Sequence, residues 1–65
     1  MKNNIKTIRT QKNISRAQLA ELSGLHYNKI GDYETNRIPI ENITIGNLYR
    51  IAQALECTIE DLIIP

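Results

Sequence analysis

This chain is short of the residues that build covalent and metal-assisted catalysts: it has one cysteine and one histidine. A lone Cys57 cannot close an internal disulfide, which suits a reducing compartment or indifference to redox state. His26 has no cysteine or carboxylate at a spacing that defines a metal site or a nucleophile–base set. Cys57 falls between helices on an apolar side and reads as core filling. No apolar run approaches the roughly 20 residues of a membrane span, and the opening MKNNIKTIRT lacks the apolar core of a secretory signal. The triplets Asn13-Ile14-Ser15 and Asn42-Ile43-Thr44 therefore read as accidental glycosylation matches, with Ser15 and Thr44 better employed as helix caps. At 65 residues the chain is expected to be a single domain over residues 1–65. A chain of this size buries only about 60% of its unfolded surface and leaves no room for a deep substrate cavity. The expectation is a cytoplasmic protein that is not an enzyme and needs no cofactor or metal.

Strong charge of one sign is also missing, since the net charge is only +1. The distribution is more informative than the sum. Up to Arg37, seven basic residues face three acidic ones, a balance of +4, whereas from Ile38 onward Arg50 alone opposes four acidic residues, a balance of −3. Such a polarised molecule can offer a positive face to phosphates and keep its other side acidic.

What is present is a run of helix punctuation. Ser15 with Gln18 three residues later forms a capping box, and Ile14 with Leu19 a hydrophobic staple, so a helix is expected from Arg16 to Ser23. Gly24 ends it, because glycine takes the left-handed conformation without steric cost. Leu25, Ile30 and Tyr33 then mark the buried edge of a further helix, about Tyr27 to Glu34. Two short helices joined so tightly cross steeply, which is the helix-turn-helix arrangement whose second helix commonly enters the DNA major groove. A preceding helix spans about Asn4 to Lys12, with Ile5 and Ile8 inward and Asn13 as a left-handed terminator. After a loop through Thr35, Asn36, Arg37 and Pro39, Thr44 caps a fourth helix. Ile43 and Leu48 staple it, and Ile45, Leu48, Ile51, Ala52 and Leu55 form its inner face. Thr58 and Asp61 suggest a fifth helix, with Cys57 paired to Leu62. The expected architecture is all-α: five short helices and no strand.

These residues in this spacing resemble the phage-repressor and Cro-like (Xre-like) helix-turn-helix family. The resemblance spans essentially the whole chain and is carried by Ile5, Ile8, Arg9, Ile14-Ser15, Leu19-Ala20, Gly24-Leu25, Ile30, Tyr33-Glu34, Leu48, Ile51-Ala52 and Leu55. It implies that Ala20 sits at the close approach of the second and third helices, and that Arg9 pairs with Glu34 to tie the first helix to the end of the recognition helix. Three departures stand out. Arg16 replaces the family's usual glutamine, His26 replaces a serine or threonine cap, and Asn13 and Asn36 stand where glycines are common.

With Ile30 and Tyr33 inward, steps of 100° per residue turn Asn28, Gly31, Asp32 and Thr35 outward and leave Tyr27 and Lys29 on the flanks. The start of a recognition helix enters deepest, so Tyr27, Asn28 and Lys29 are the candidates for base edges, followed one turn later by Asp32. Asn28 suits adenine; Lys29 suits guanine or a phosphate; Asp32 either accepts from cytosine or restrains Lys29. Gly31 costs helix stability at mid-helix: it either lets the helix seat closely in the groove or is a tolerated weakness. Arg16, Lys12, Lys6, Arg37 and Asn36 are the candidates for phosphate contacts. One recognition helix reads few base pairs, so a homodimer on a two-fold symmetric double-stranded operator is expected, with the fifth helix and Leu62, Ile63 and Ile64 as the pairing surface; alternatively Leu62 caps the core and the last two isoleucines fray or pack back. The rival expectation is a protein-interaction module, or an antitoxin or controller subunit, that keeps this fold and has a protein partner.

Overall fold

The computed structural model describes residues 1–64. Among these residues there are four α-helices, α1 (Ile5–Gln11), α2 (Arg16–Ser23), α3 (Tyr27–Glu34) and α4 (Ile45–Ala54), and the last three each follow a capping side chain. The capping box of α2 is complete, with Gln18 N–H donating to Ser15 Oγ at 3.0 Å and Ser15 N–H donating to Gln18 Oε1 at 2.7 Å. Thr44 Oγ1 accepts from the Asn47 N–H in the same manner at the start of α4. A left-handed residue follows each helix: Asn13 after α1, Gly24 after α2, Asn36 after α3 and Glu56 after α4. Asparagine accepts that conformation readily and glycine freely; glutamate has neither advantage. The fourth terminator carried no sequence signal.

The α2 helix packs on both α3 and α4, and α1 packs on α3. Ile5, Leu19, Ile30, Ile51, Leu55 and Leu62 are fully buried where these helices meet. Ala20 and Leu25 lie half-buried against that core. Ile45 departs from its expected inward place and is 71% exposed. Ile40, in a single 3-10 turn (Ile40–Asn42), and Ile43 before the cap are both buried and fill the core at the start of α4 instead.

The C-terminal segment corrects the five-helix, all-α expectation. Thr58 and Asp61 do exchange reciprocal hydrogen bonds of 3.0 and 3.1 Å, but they enclose only a 3-10 turn (Glu60–Leu62). The chain then extends into β2 (Ile63–Ile64), antiparallel to β1 (Lys2–Asn3), with Lys2 opposite Ile64 and Asn3 opposite Ile63. Two β-branched residues next to a free strand partner favour pairing over another helical turn. Within the expected pairing surface, Leu62 takes the alternative place in the core. Leu62 has no exposed surface, Ile63 is half-buried against the core, and only Ile64 is substantially exposed. Leu62 is consumed by the protein's own core. Among the described residues no helix is long and apolar enough to cross a membrane.

Candidate nucleic-acid interface

The α3 helix is anchored along one edge and open along the other. Ile30 and Tyr33 are buried. The Tyr33 hydroxyl accepts from Asn47 Nδ2 at 3.0 Å, and its carbonyl accepts from Asn3 Nδ2 at 2.8 Å. At the start of α3, His26 Nδ1 accepts from the Asn28 N–H at 3.1 Å, so this side chain does cap the helix. Opposite these anchors Asn28, Lys29 and Thr35 are exposed and Tyr27 is 48% exposed.

The end of α3 is fixed by a buried carboxylate. The Glu34 side chain has no exposed surface. It accepts from Arg9 Nε at 2.6 Å and Nη2 at 3.2 Å, and from Arg16 Nε at 3.3 Å and Nη2 at 3.2 Å. Arg9 Nη1 also donates to the Ile14 carbonyl at 2.8 Å, which ties α1 to the entry of α2. A carboxylate can be taken from water only when its lone pairs are met by such donors. The pair of Arg9 and Glu34 is therefore formed, and Arg16 joins it. With two guanidiniums on one carboxylate, the cluster keeps one net positive charge.

An open concavity runs along the outer side of α3, lined by Arg16, Tyr27, Asn28, Asp32, Thr35 and Arg37 together with the bare backbone of Gly31. The Arg16 guanidinium carbon lies 5.8 Å from the centre of the Tyr27 ring, in range for a cation–π contact. Asp32 faces Arg37 at 3.7 Å rather than restraining Lys29. Arg37 is largely exposed, so that pair is loose.

The expected phosphate contacts separate into two groups. Arg16 and Arg37 border the concavity, and Lys6 is exposed on α1. Asn36 Oδ1 instead accepts from Asn3 Nδ2 at 2.9 Å, which closes the exit of α3 onto β1. Lys12 Nζ points to the Glu56 carbonyl at 3.4 Å, on the acidic side of the molecule. There Asp61 is held below the ordinary aspartate range, first by the Thr58 backbone N–H and then by its hydroxyl. Burial, followed by the neighbouring Asp61 charge, pushes the Cys57 thiol up. Two features of the site escaped sequence reasoning. Asn3 bridges the N-terminal strand to the end of α3, and Arg16 lies across α3; neither shows in helical periodicity, because both are contacts between separate elements.

Residues 4–65 match the Cro/C1-type HTH DNA-binding domain family. Control protein C.SmaI of Serratia marcescens is 37% identical over 60 residues, covering 92% of this chain and 68% of that protein. An SPbeta prophage-derived HTH-type transcriptional regulator, YopS, of Bacillus subtilis is 36% identical over 52 residues, covering 80% of this chain and 68% of that one. Among solved structures, the restriction-modification controller protein C.AhdI from Aeromonas hydrophila superposes with a TM-score of 0.84 at 30% identity, covering 92% of this chain and 86% of its own. The biofilm master regulator SinR, solved in complex with DNA, gives 0.82 at 26% identity, with 88% and 87% covered. The buried Arg9–Glu34 tie, the capped α2–α3 pair and these likenesses agree: the chain belongs to the Cro/C1-type helix-turn-helix DNA-binding domain family, the family of helix-turn-helix transcriptional regulators.

Proposed function

We propose that the protein binds double-stranded DNA sequence-specifically with α3 in the major groove, and represses transcription as a homodimer on a two-fold symmetric operator. The observation that carries this reading is the two-sided character of α3. Its inner edge is locked by Ile30, Tyr33 and Glu34, and its outer edge offers Tyr27, Asn28 and Lys29 without a structural task of comparable weight. Asn28 can donate to N7 and accept from N6 of adenine, Lys29 can donate to guanine O6 and N7, and Asp32 can accept from cytosine N4 when it leaves Arg37. Tyr27 suits a thymine methyl. Arg16, Arg37 and Lys6 supply phosphate contacts.

The dimer needs a surface other than buried Leu62. Ile45 and exposed Tyr49, four residues apart and hence on one face of α4, form the pairing surface in this reading, with Ile64 as the remaining exposed apolar residue of the tail. Replacing Ile45 and Tyr49 together by lysine yields a folded monomer that binds DNA weakly; an unchanged dimer in sedimentation rules this surface out.

Selection of bound duplexes from a random library at low salt tests the whole reading. The expected result is a two-fold symmetric consensus with half-sites about one helical turn apart. Affinity for it should fall with salt at a log–log slope of about −0.9 per phosphate neutralised. No enrichment at low salt, together with capture of a defined protein partner, would select an interaction module instead. Within DNA-binding regulators, the likeness to two proteins named as control or controller proteins favours a controller-type role.

A further inference from the structure

A glycine in the middle of a recognition helix needs a reason, because it weakens the helix relative to alanine. Gly31 has an ordinary helical backbone, without the positive φ found at Gly24, so its turn geometry does not require glycine. The reason lies in the neighbouring helix. A Cβ at Gly31 would stand 3.2 Å from Nη1 of Arg16 and 3.7 Å from its Cζ. Arg16 starts α2, and its guanidinium lies along a stripe of α3 made by Tyr27, Gly31 and Glu34. Glu34 Oε1 takes Nε and Nη2 at 3.3 and 3.2 Å, the Tyr27 ring stands 5.8 Å away, and Gly31 supplies the flat floor between them. Of the five guanidinium donors, those on Nη1 have no acceptor among the described residues. The side chain is 30% exposed and borders the concavity beside Asn28 and Asp32.

We propose that Gly31 is a positioning residue for a DNA phosphate contact made by Arg16. By leaving out its Cβ, it lets the arginine from α2 lie flush against α3 and hold Nη1 toward the groove edge. This inference rests on the DNA-binding reading above. A planar guanidinium fixed on one edge by a carboxylate loses little further freedom when its other edge meets a phosphate oxygen. At 3.2 Å from Nη1, an added methyl group requires the guanidinium to give by a few tenths of an ångström while Glu34 still holds it, so the free edge is re-aimed. The contact carries no sequence information, because phosphates are common to every duplex.

The test compares the wild type, Gly31→Ala, Arg16→Ala and the double variant on the selected duplex and on a scrambled one, across salt concentrations. Gly31→Ala is expected to raise the melting temperature, because alanine is the better helix former, while weakening binding to both duplexes by roughly tenfold and making the salt slope shallower by about one. In the Arg16→Ala background the same glycine change should alter affinity by less than about twofold. Without DNA, the Arg16 Nε–H signal in nitrogen-15 spectra should move in Gly31→Ala. Three results overturn the inference: Gly31→Ala binding like the wild type, a loss that persists without Arg16, or a loss confined to one base pair. A wild type that retards no duplex at low salt overturns the DNA-binding reading itself, and this inference falls with it.

Discussion

The segment from Ser15 to Thr35 and the segment from Glu56 to Ile64 are built on opposite plans. In the first, nearly every bend is marked by a residue suited to it locally: Ser15 and Gln18 at the start of α2, Gly24 at its end, His26 at the start of α3. In the second, a glutamate holds a left-handed conformation, a threonine cap encloses only a 3-10 turn, and the chain is finished by pairing with residues some sixty positions earlier. Local free energy decides the first segment, and closure of the chain on its own N-terminus decides the second. The difference separates duties. The locally specified segment carries the exposed outer edge of α3, and the tail completes the core through Leu62.

The comparison breaks most sharply at Glu34, a place in the helix-turn-helix where side chains of two other elements converge on one buried carboxylate. Glu34→Ala leaves Arg9, whose side chain is only 10% exposed, as a buried charge without its partner. The expected loss is about 3–5 kcal/mol in urea denaturation, comparable with the whole stability of a small domain; a loss under about 1 kcal/mol would remove this cluster as the anchor of α3. The tail is tested next. Leu62→Ala should cost about 2–5 kcal/mol as a cavity-forming change in the core, while Ile64→Ala, at an exposed position, should stay within about 0.5 kcal/mol. Equal effects at the two sites would mean that the tail does not divide into a core residue and a surface residue.

Smaller effects sharpen the contrast. Asn28→Ala should leave the melting temperature unchanged, weaken binding by about 1–3 kcal/mol and relax preference at one base pair; equal losses on specific and random duplexes would refute its role. Glu56→Gly should stabilise the fold by about 0.5–1 kcal/mol, because it relieves the left-handed strain that the sequence leaves unrelieved after α4. Asp61 gives the smallest effect. Its carboxyl is depressed in the folded state by hydrogen bonds from Thr58. It therefore contributes stability above the ordinary aspartate range, and that contribution disappears as pH falls through the depressed value. Melting temperature measured against pH should show a flatter acid limb in Asp61→Asn than in the wild type.

Much of the site was legible in the residues. The bounds of α2 and α3 follow from caps and a glycine, because a cap acts on the backbone groups within one turn of itself. The inward turn of Ile30 and Tyr33, and with it the outward turn of Asn28, follows from 100° periodicity. Periodicity failed at Ile45, where Ile40 and Ile43 from the preceding loop had already filled the core. It also could not foresee that Asn36 would be tied to Asn3, or that Lys12 would turn to the Glu56 carbonyl. These are contacts that surface side chains make with distant parts of the chain, for which no spacing rule exists.

The amino-acid sequence alone determined the four helices, the left-handed residues after α1, α2 and α3, the polarity of charge, and which edge of α3 faces the core. Each depends on interactions within a turn or two of the chain, or on composition. Tertiary structure alone decided that Ile63 and Ile64 pair with Lys2 and Asn3, that Leu62 is core rather than contact surface, and that Arg16 crosses α3 over Gly31 to reach Glu34. Those outcomes depend on which groups become neighbours once the helices pack, and a buried carboxylate or an open strand edge takes whatever partner the packed fold brings within reach.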